Sequence, residues 1–364
     1  MMPPKEGQPV EQTLAGLTTL GIGGPAKRLI TADSEQAVIE ALTLADDAGD
    51  PVLVLGGGSN VVVSDDGFDG TVVHIASRGL EIPEGDETCG GVLVTAQAGH
   101  PWDEVVLATL EAGLRGLETL SGIPGSTGAT PVQNVGAYGT EVASLIHSVR
   151  TWDRERRAVK TFTASELEFS YRDSLLKRST VNGSPRYVVL SVTFQLLHGT
   201  RPSEFRYAEL ARRMEEIAGG NATTADVRAA VLELRSGKGM VLNPQDRDTF
   251  STGSFFTNPI VPEATAALLP EDAPRFPAGE GMVKLSAAWL IDHAGFGKGY
   301  GLQEGRDVAG GRASLSTKHT LAITNRGEAS SDDVLAIARA VRDGVEERFG
   351  VRLHNEPVFI NTQL

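Results

Sequence analysis

Ser121 to Thr140 reads SGIPGSTGATPVQNVGAYGT and contains no Asp, Glu, Lys or Arg, in a chain whose residues are 22% charged. Glycine and small polar residues dominate it, so it has neither the apolar run of a core strand nor that of a membrane span. Gly122, Gly125, Gly128, Gly136 and Gly139 free the backbone, while Pro124 and Pro131 stiffen what lies between. Such a stretch offers main-chain donors and acceptors, the amides of Gln133 and Asn134 and the ring of Tyr138, without net charge. That chemistry suits a large, flat ligand with a polar rim and a diphosphate. FAD is the candidate, its potential left to a few chosen hydrogen bonds. A long surface loop is the alternative, disfavoured because loops of this length are uncommon in compact domains unless functional.

A second glycine cluster, Leu55-Gly56-Gly57-Gly58-Ser59-Asn60, follows the apolar run 51–55 and precedes Val61-Val62-Val63. It lacks the Lys-Ser/Thr of a nucleotide triphosphate loop and the spaced G-x-G-x-x-G that opens a helix. The pattern is strand, glycines, strand. An anion site here is a concavity of backbone N–H groups rather than a helix terminus. A tight hairpin turn is the other reading.

Single residues add chemistry. Arg172, in SYRDS, carries a planar fork that matches a carboxylate, although an Arg in a polar loop is more usually solvated or ion-paired. Ser254, in TGSFFTNP, has no G-x-S-x-G elbow around it, which argues against a hydrolase; a turn serine bonding its own backbone is the bland alternative. Phe255 and Phe256 either exclude water there or anchor the loop. Glu356 precedes Val358-Phe359-Ile360 by two residues, and an unpaired charge on an apolar strand is costly. Arg235 and Lys238 in ELRSGKGM, and Lys298 in GFGKGYG, sit beside glycines and are the candidate cations for a phosphate. Lys284 reads as structural. No HExxH spacing occurs among the seven histidines, and one cysteine makes no thiolate cage, so no catalytic metal is expected.

The frame that must position these groups is α+β. At 364 residues the length prior is two or three domains. With 33 basic against 47 acidic residues the net charge is −14, which disfavours nucleic acid or an anionic membrane as partner. Cys89 is the sole cysteine, so no intrachain disulfide forms and a reducing, cytoplasmic setting is expected. Residues 1–12 read as a polar leader without an apolar signal core. Helices are expected at 33–49, 207–218, 223–236, 285–294 and 331–348, and in PWDEVVLATLEAGL with Pro101 at its first turn. The last helix repeats Val334, Ile337, Val341, Val345 and Phe349 at core-facing spacing. Strands are expected at 51–55 and 61–63, and in GTVVHIAS, GVLVTAQAG, HSVRTWDRERRAVKTFT, RYVVLSVTFQL, HTLAITN and the terminal VRLHNEPVFI. Residues 237–282 read as loop-rich.

The segments TTLGIGGPA, LGGGSN, GLETLSGIPGSTGATPVQNVGAYG, FSYRDS, GSFFTNP, VKLSAAWLID and NEPVFI resemble, in that order, the UDP-N-acetylenolpyruvoylglucosamine reductases, over Thr18 to Ile360. The resemblance implies a two-subdomain FAD-binding domain of the vanillyl-alcohol-oxidase (PCMH) type, 13–80 and 81–238, the latter joined by the C-terminal strand 351–364. A smaller α+β substrate-binding domain, 239–350, completes the expectation. The implied reaction reduces UDP-N-acetylglucosamine enolpyruvate to UDP-N-acetylmuramate for peptidoglycan synthesis, with FAD as cofactor, NADPH as donor and a monomer as the working form. Implied cofactor contacts are Leu55, Gly56, Gly57, Gly58, Ser59 and Asn60, then Ser121, Ile123, Pro124, Gly125, Thr127, Gly128, Ala129, Gln133, Asn134, Gly136, Ala137 and Tyr138. Implied catalytic residues are Ser254 as proton donor to C2, Arg172 as the cation at the carboxylate and Glu356 as the group polarising the reacting end. Implied substrate contacts are Tyr171, Tyr207 (in RYAEL, similar to a substrate-covering tyrosine loop), Arg235, Lys238, Asn258, Lys298 and His319. Two departures stand out: His354-Asn355-Glu356 replaces a common Glu-Pro-Glu, and His319 stands where some relatives place Gln. The rivals are a flavin oxidase on the same scaffold and a non-catalytic sugar-nucleotide or flavin binder. GSFFTNP and SYRDS together disfavour the second, since binding alone needs no proton donor.

Overall fold

In β1 (Ala26–Ala32), α1 (Glu35–Ala48), β2 (Val52–Leu55), β3 (Val61–Val63) and β4 (Phe68–Ile75) the chain builds a parallel unit. This is a computed structural model, and it describes residues 13–83, 91–202, 207–218 and 221–364; the leader 1–12 and Cys89 lie outside them. β4 lies between β1 and β2 and runs parallel to both. Parallel strands of one sheet need a crossover, and α1 supplies the one that carries the chain from β1 past the central position to β2. Ser34 Oγ accepts the Ala37 N–H to start α1, and Gly49 at φ +66° ends it. Val38, Leu42 and Ala45 of its inner face are buried with Ala32, Val52 and Val73.

β3 belongs elsewhere. It pairs in parallel with Val358–Ile360, so the strands flanking Gly56–Asn60 lie in different sheets and the hairpin reading is excluded. The same pairing corrects the expected place of the C-terminal strand. Only Val358–Ile360 of VRLHNEPVFI is regular strand, and it joins the N-terminal unit rather than residues 81–238. Ile360 is buried there among Leu14, Leu53, Leu55, Val63 and Val72.

An antiparallel sheet follows, in the order Ala158–Thr163, Ile146–Asp153, Tyr187–His198, Val92–Gln97 and Leu80–Glu81. Val92–Gln97 alternates buried and half-buried residues, as a strand with one covered face does. α2 (Trp102–Glu111) covers that face with Trp102, Val105 and Val106. Trp102 packs 5.6 Å from Phe194 and satisfies its indole N–H on Leu120 O.

The C-terminal unit has its own core. Helix Ser331–Phe349 opens with a capping box of Ser330 and Asp333. Its Val334, Ile337, Val341 and Val345 are buried against Ala313–Leu315, Ile323–Asn325 and helix Ala287–His293, while Phe349 packs at the margin. The expected loop 237–282 contains two short strands, Ile260–Pro262 and Arg275–Pro277, which flank Met282–Leu285. Helices Ala208–Ala218 and Thr224–Gly237 pair around Leu210, Met214, Val227 and Val231. Among the described residues, no helix is long and apolar enough to cross a membrane.

Candidate active site

The two glycine segments meet. A Cβ on Gly56 would stand 2.3 Å from Ser126 Oγ, and one on Gly57 would stand 2.6 Å from Gly125 Cα. Gly58, at φ +59°, would drive a Cβ into Leu17 O. Gly57 and Gly58 are therefore required first by backbone packing on backbone, and Gly56 by the Ser126 side chain; the close approach to a ligand comes with it. Among the described residues, the N–H groups of Gly57, Gly58 and Ser59 have no hydrogen-bond acceptor. They line a cavity of about 400 Å³ walled by both subdomains and by Val358–Ile360. A second cavity, of about 310 Å³, shares Ser59, Asn60, Ser126, Ala129 and Gln133 with it, and a third, of about 400 Å³, shares Gly56 and Gly57. Free backbone donors on the wall of a cavity of this size, with two further cavities sharing part of its lining, fit a dinucleotide bearing a diphosphate.

The uncharged stretch is folded rather than draped: two short helical turns, Thr127–Ala129 and Thr130–Gln133, lead to the pair Gly136–Ala137 and Thr140–Glu141. Leu55 through Asn60, Gly128, Ala129 and Gln133 line the first cavity. Ile123, Pro124, Gly136, Ala137 and Tyr138 line the second. Ser121, Gly125, Thr127 and Asn134 line neither. Ser121 Oγ bonds Glu118 O, Thr127 Oγ1 bonds His100 O, and Gly125 packs beneath Gly57. Asn134, 1% exposed with φ +46°, bonds Glu141, Ser170 O and Ala143 N. Each satisfies a buried backbone or side-chain group and so holds the loop's shape.

Arg172 stands at the tip of a tight turn closed by the reciprocal bonds of Ser170 and Asp173. Its φ of +55° is rare for a residue with a side chain and costs about 1–3 kcal/mol. Nη1 donates to Asn134 O at 3.3 Å and Nη2 to Gly136 O at 2.8 Å, while Nε lies 3.0 Å from Glu356 Oε1. Of five N–H donors two are engaged in hydrogen bonds, which leaves room for a second anion. Glu356 Oε1 also accepts from Gln133 Nε2 at 3.2 Å. Glu356 is placed by backbone: its N–H bonds Phe255 O, its carbonyl accepts from Asn60, and Phe256 bridges Asn355. That same ladder carries Ser254, which follows Gly253 at φ +74°. Arg172, Ser254 and Glu356, from three distant segments, all line the second cavity. Phe255 and Phe256, 0% and 2% exposed, anchor the loop in the C-terminal core.

Opposite them the wall is helical. Tyr138 meets Tyr207 edge-on at 5.5 Å, and burial pushes its hydroxyl up to about 12. Arg235 retains some exposure but its charged head is buried: Nη2 reaches Met240 O, Nε has no partner, and desolvation pulls its pKa down to about 10. Lys238 pairs with Glu209 at 2.6 Å. Burial, then Lys238 and Lys298, push the His319 imidazole down to about 4, so it is neutral. Tyr138, Tyr207, Arg235, Lys238 and His319 line the cavity. Tyr171, Asn258 and Lys298 do not. Tyr171 and Asn258 are hydrogen-bonded to each other, Asn258 accepts from Ala287 N, and Lys284 lies 4.9 Å over the Tyr171 ring. This bracket braces the Arg172 turn from behind.

The cavities also hold residues that the sequence did not single out. Ser126 lies inside the uncharged stretch, where nothing in its type or spacing sets it apart from its neighbours, and lines both cavities. Thr252, 6% exposed, carries an unpartnered Oγ1 beside Ser254. Lys177, Asn182 and Gly183 line the first cavity and had no signal beyond their nearness to SYRDS. Among the described residues, no cluster of His, Cys, Asp and Glu is able to hold a metal.

Comparison with known proteins bears on this arrangement. Residues 6–161 match the family model of an FAD binding domain, and residues 244–360 that of the UDP-N-acetylenolpyruvoylglucosamine reductase C-terminal domain. A UDP-N-acetylenolpyruvoylglucosamine reductase from Cutibacterium acnes is 52% identical over 347 residues, covering 95% of this chain and 89% of its own. One from Streptomyces coelicolor is 48% identical over 378 residues, covering 100% and 94%. The crystal structure of the enzyme from Thermus caldophilus superposes with a TM-score of 0.62 at 25% identity, over 96% of this chain and 97% of that one. With the Gly57–Ser59 loop offering free backbone donors to a dinucleotide and relatives at half identity along nearly the whole length, the chain belongs to the UDP-N-acetylenolpyruvoylglucosamine reductases, FAD-dependent oxidoreductases.

Proposed function

We propose that the chain reduces the enolpyruvyl double bond of UDP-N-acetylglucosamine enolpyruvate with electrons from NADPH, giving UDP-N-acetylmuramate for peptidoglycan synthesis. FAD, when bound between the two glycine loops, supplies the two-electron exchange between NADPH and the olefin. Gly57, Gly58 and Ser59 hold its diphosphate with their backbone N–H groups.

The protein's own part is charge and proton placement. Arg172 meets the substrate carboxylate with the N–H groups it has left, and Glu356 fixes the guanidinium plane through the ion pair at Nε. Ser254 gives its proton to C2 once negative charge develops there. A hydroxyl is a poor acid against water but adequate against a carbanionic carbon held at hydrogen-bond range. Arg235 and Lys238 take the diphosphate of the sugar nucleotide, and Tyr207 closes over it. Neutral His319 serves as a hydrogen-bonding partner where a relative has an amide.

The observation that carries this reading is the convergence of Ser254, Arg172 and Glu356 on one cavity, the first and last joined by the backbone ladder of 255–257 with 354–356 and Arg172 by its ion pair with Glu356. The test is anaerobic. NADPH should bleach the yellow protein, and UDP-N-acetylglucosamine enolpyruvate should restore the colour in one turnover. Rapid recolouring by oxygen with no response to the sugar nucleotide would establish a flavin oxidase instead.

A further inference from the structure

Lys177 is a cation without an answering anion. It sits on the single helical turn Leu175–Arg178, and its Nζ donates to Arg172 O at 2.9 Å. Among the described residues, no carboxylate oxygen lies within ion-pair distance of it. It lines the cavity of about 400 Å³, where among the described residues it is the only charged side chain; the rest of that lining is apolar, glycine or neutral polar. Half-buried, its ammonium is held below its ordinary pKa by desolvation, against which the more distant Glu356 and Asp173 act. An ammonium has three donors and one is used. Leaving a charge on an apolar wall is unfavourable unless an anion completes it. The same wall carries the unpartnered N–H groups of Gly57, Gly58 and Ser59.

We infer that Lys177 is an electrostatic ligand of the bound FAD, with its ammonium on an anionic oxygen of the cofactor. This deepens the FAD reading and rests on it. FAD carries two such groups. Its diphosphate is negative in every redox state. The N1–C2=O edge of its isoalloxazine becomes negative only after two-electron reduction, and a cation there favours the reduced form.

The test uses Lys177→Gln, which keeps a donor for Arg172 O without the charge, and Lys177→Arg, which keeps the charge. For each holoprotein the FAD dissociation constant and the two-electron midpoint potential are measured without NADPH or substrate. A diphosphate contact raises the Lys177→Gln dissociation constant for oxidised FAD tenfold or more. An isoalloxazine contact leaves that constant alone and weakens reduced against oxidised FAD about tenfold, a potential about 30 mV lower. Lys177→Arg restores either value. Both quantities within twofold of the parent in Lys177→Gln would overturn the inference, as would equal losses in Gln and Arg, which mark a purely structural lysine. If Lys177→Gln does not fold, Lys177→Met carries the same two measurements. A parent protein that holds no FAD would sink the cofactor reading itself, and that is seen before any variant is made.

Discussion

The two walls of the 310 Å³ cavity solve opposite electrostatic problems. On one, Arg172 and Glu356 face each other at 3.0 Å, and Gln133 and two carbonyls complete the set. On the other, Arg235 keeps a buried Nε with no partner, and His319 is driven neutral by burial and two lysines. The first wall is neutralised before anything binds, and its geometry is fixed by backbone bonds from three segments. The second is left electropositive and incomplete. A pre-paired wall keeps its shape while charge develops at a reacting carbon, and pre-organised dipoles of this kind supply the larger part of many rate enhancements. An incomplete wall stores unfavourable desolvation that an arriving anion relieves, so it selects and holds.

Removing the proposed proton donor should break the first wall most severely. Ser254→Ala is expected to leave bleaching by NADPH intact and to slow recolouring by the sugar nucleotide about a thousandfold, near 4 kcal/mol of barrier. Stopped-flow absorbance of the two half-reactions decides it; equal recolouring rates in variant and parent take Ser254 out of the acid role. Next in size is Arg172→Lys. A point charge cannot bond two carbonyls, pair with Glu356 and meet a carboxylate at once. Recolouring should fall roughly a hundredfold, about 2.7 kcal/mol, with the substrate dissociation constant rising less than that. A Lys variant with parental turnover would mean that charge alone suffices there.

The second wall should respond in binding and stability together. Arg235→Met removes a buried, incompletely bonded cation, so the free protein should gain about 1 kcal/mol in a denaturant melt. The same variant should bind the UDP moiety roughly thirtyfold more weakly, about 2 kcal/mol, for want of a charged donor. Stability and affinity moving in opposite directions is the signature of a wall built incomplete. A variant that loses both would show instead that Arg235 is ordinary scaffold.

Much of this was legible in the sequence, and unevenly. The helices at 33–49, 101–113 and 331–348 announced themselves by caps and apolar period, because those signals are local. The resemblance grouped Arg172, Ser254 and Glu356 in one site although the first and last stand 184 positions apart in the chain. What stayed hidden was reciprocal packing. The pairing of β3 with Val358–Ile360 spans nearly the whole chain, and the terminal strand's apolar pattern suits either subdomain. Asn134 and Thr127 resemble ligand contacts because a loop that holds a ligand and a loop that holds itself use the same polar residues. Lys177 and Thr252 belong to no motif; only a wall around them makes their missing partners visible.

A pH dependence sharpens the contrast further, because it comes from the incomplete wall alone. His319 has its pKa lowered from 6.5 to about 4 by burial and by Lys238 and Lys298. Between those values the unfolded chain takes up a proton that the folded chain refuses, so the unfolded state binds more protons and stability rises with pH. The contribution is complete above about pH 6.5 and is lost as pH falls toward about 4. Its full span is about 3 kcal/mol at one unit per 1.36 kcal/mol. His319→Gln has no such proton to refuse. Its melting midpoint should therefore match the parent's closely at pH 7.5 and exceed it at pH 5, where part of the penalty already applies. Parallel pH profiles for the two proteins would mean that His319 titrates normally and that the wall is wetter than its packing implies. Substrate affinity in the parent should show no protonation step at His319 from pH 6 to 8, which separates a neutral hydrogen-bonding role from that of a third cation.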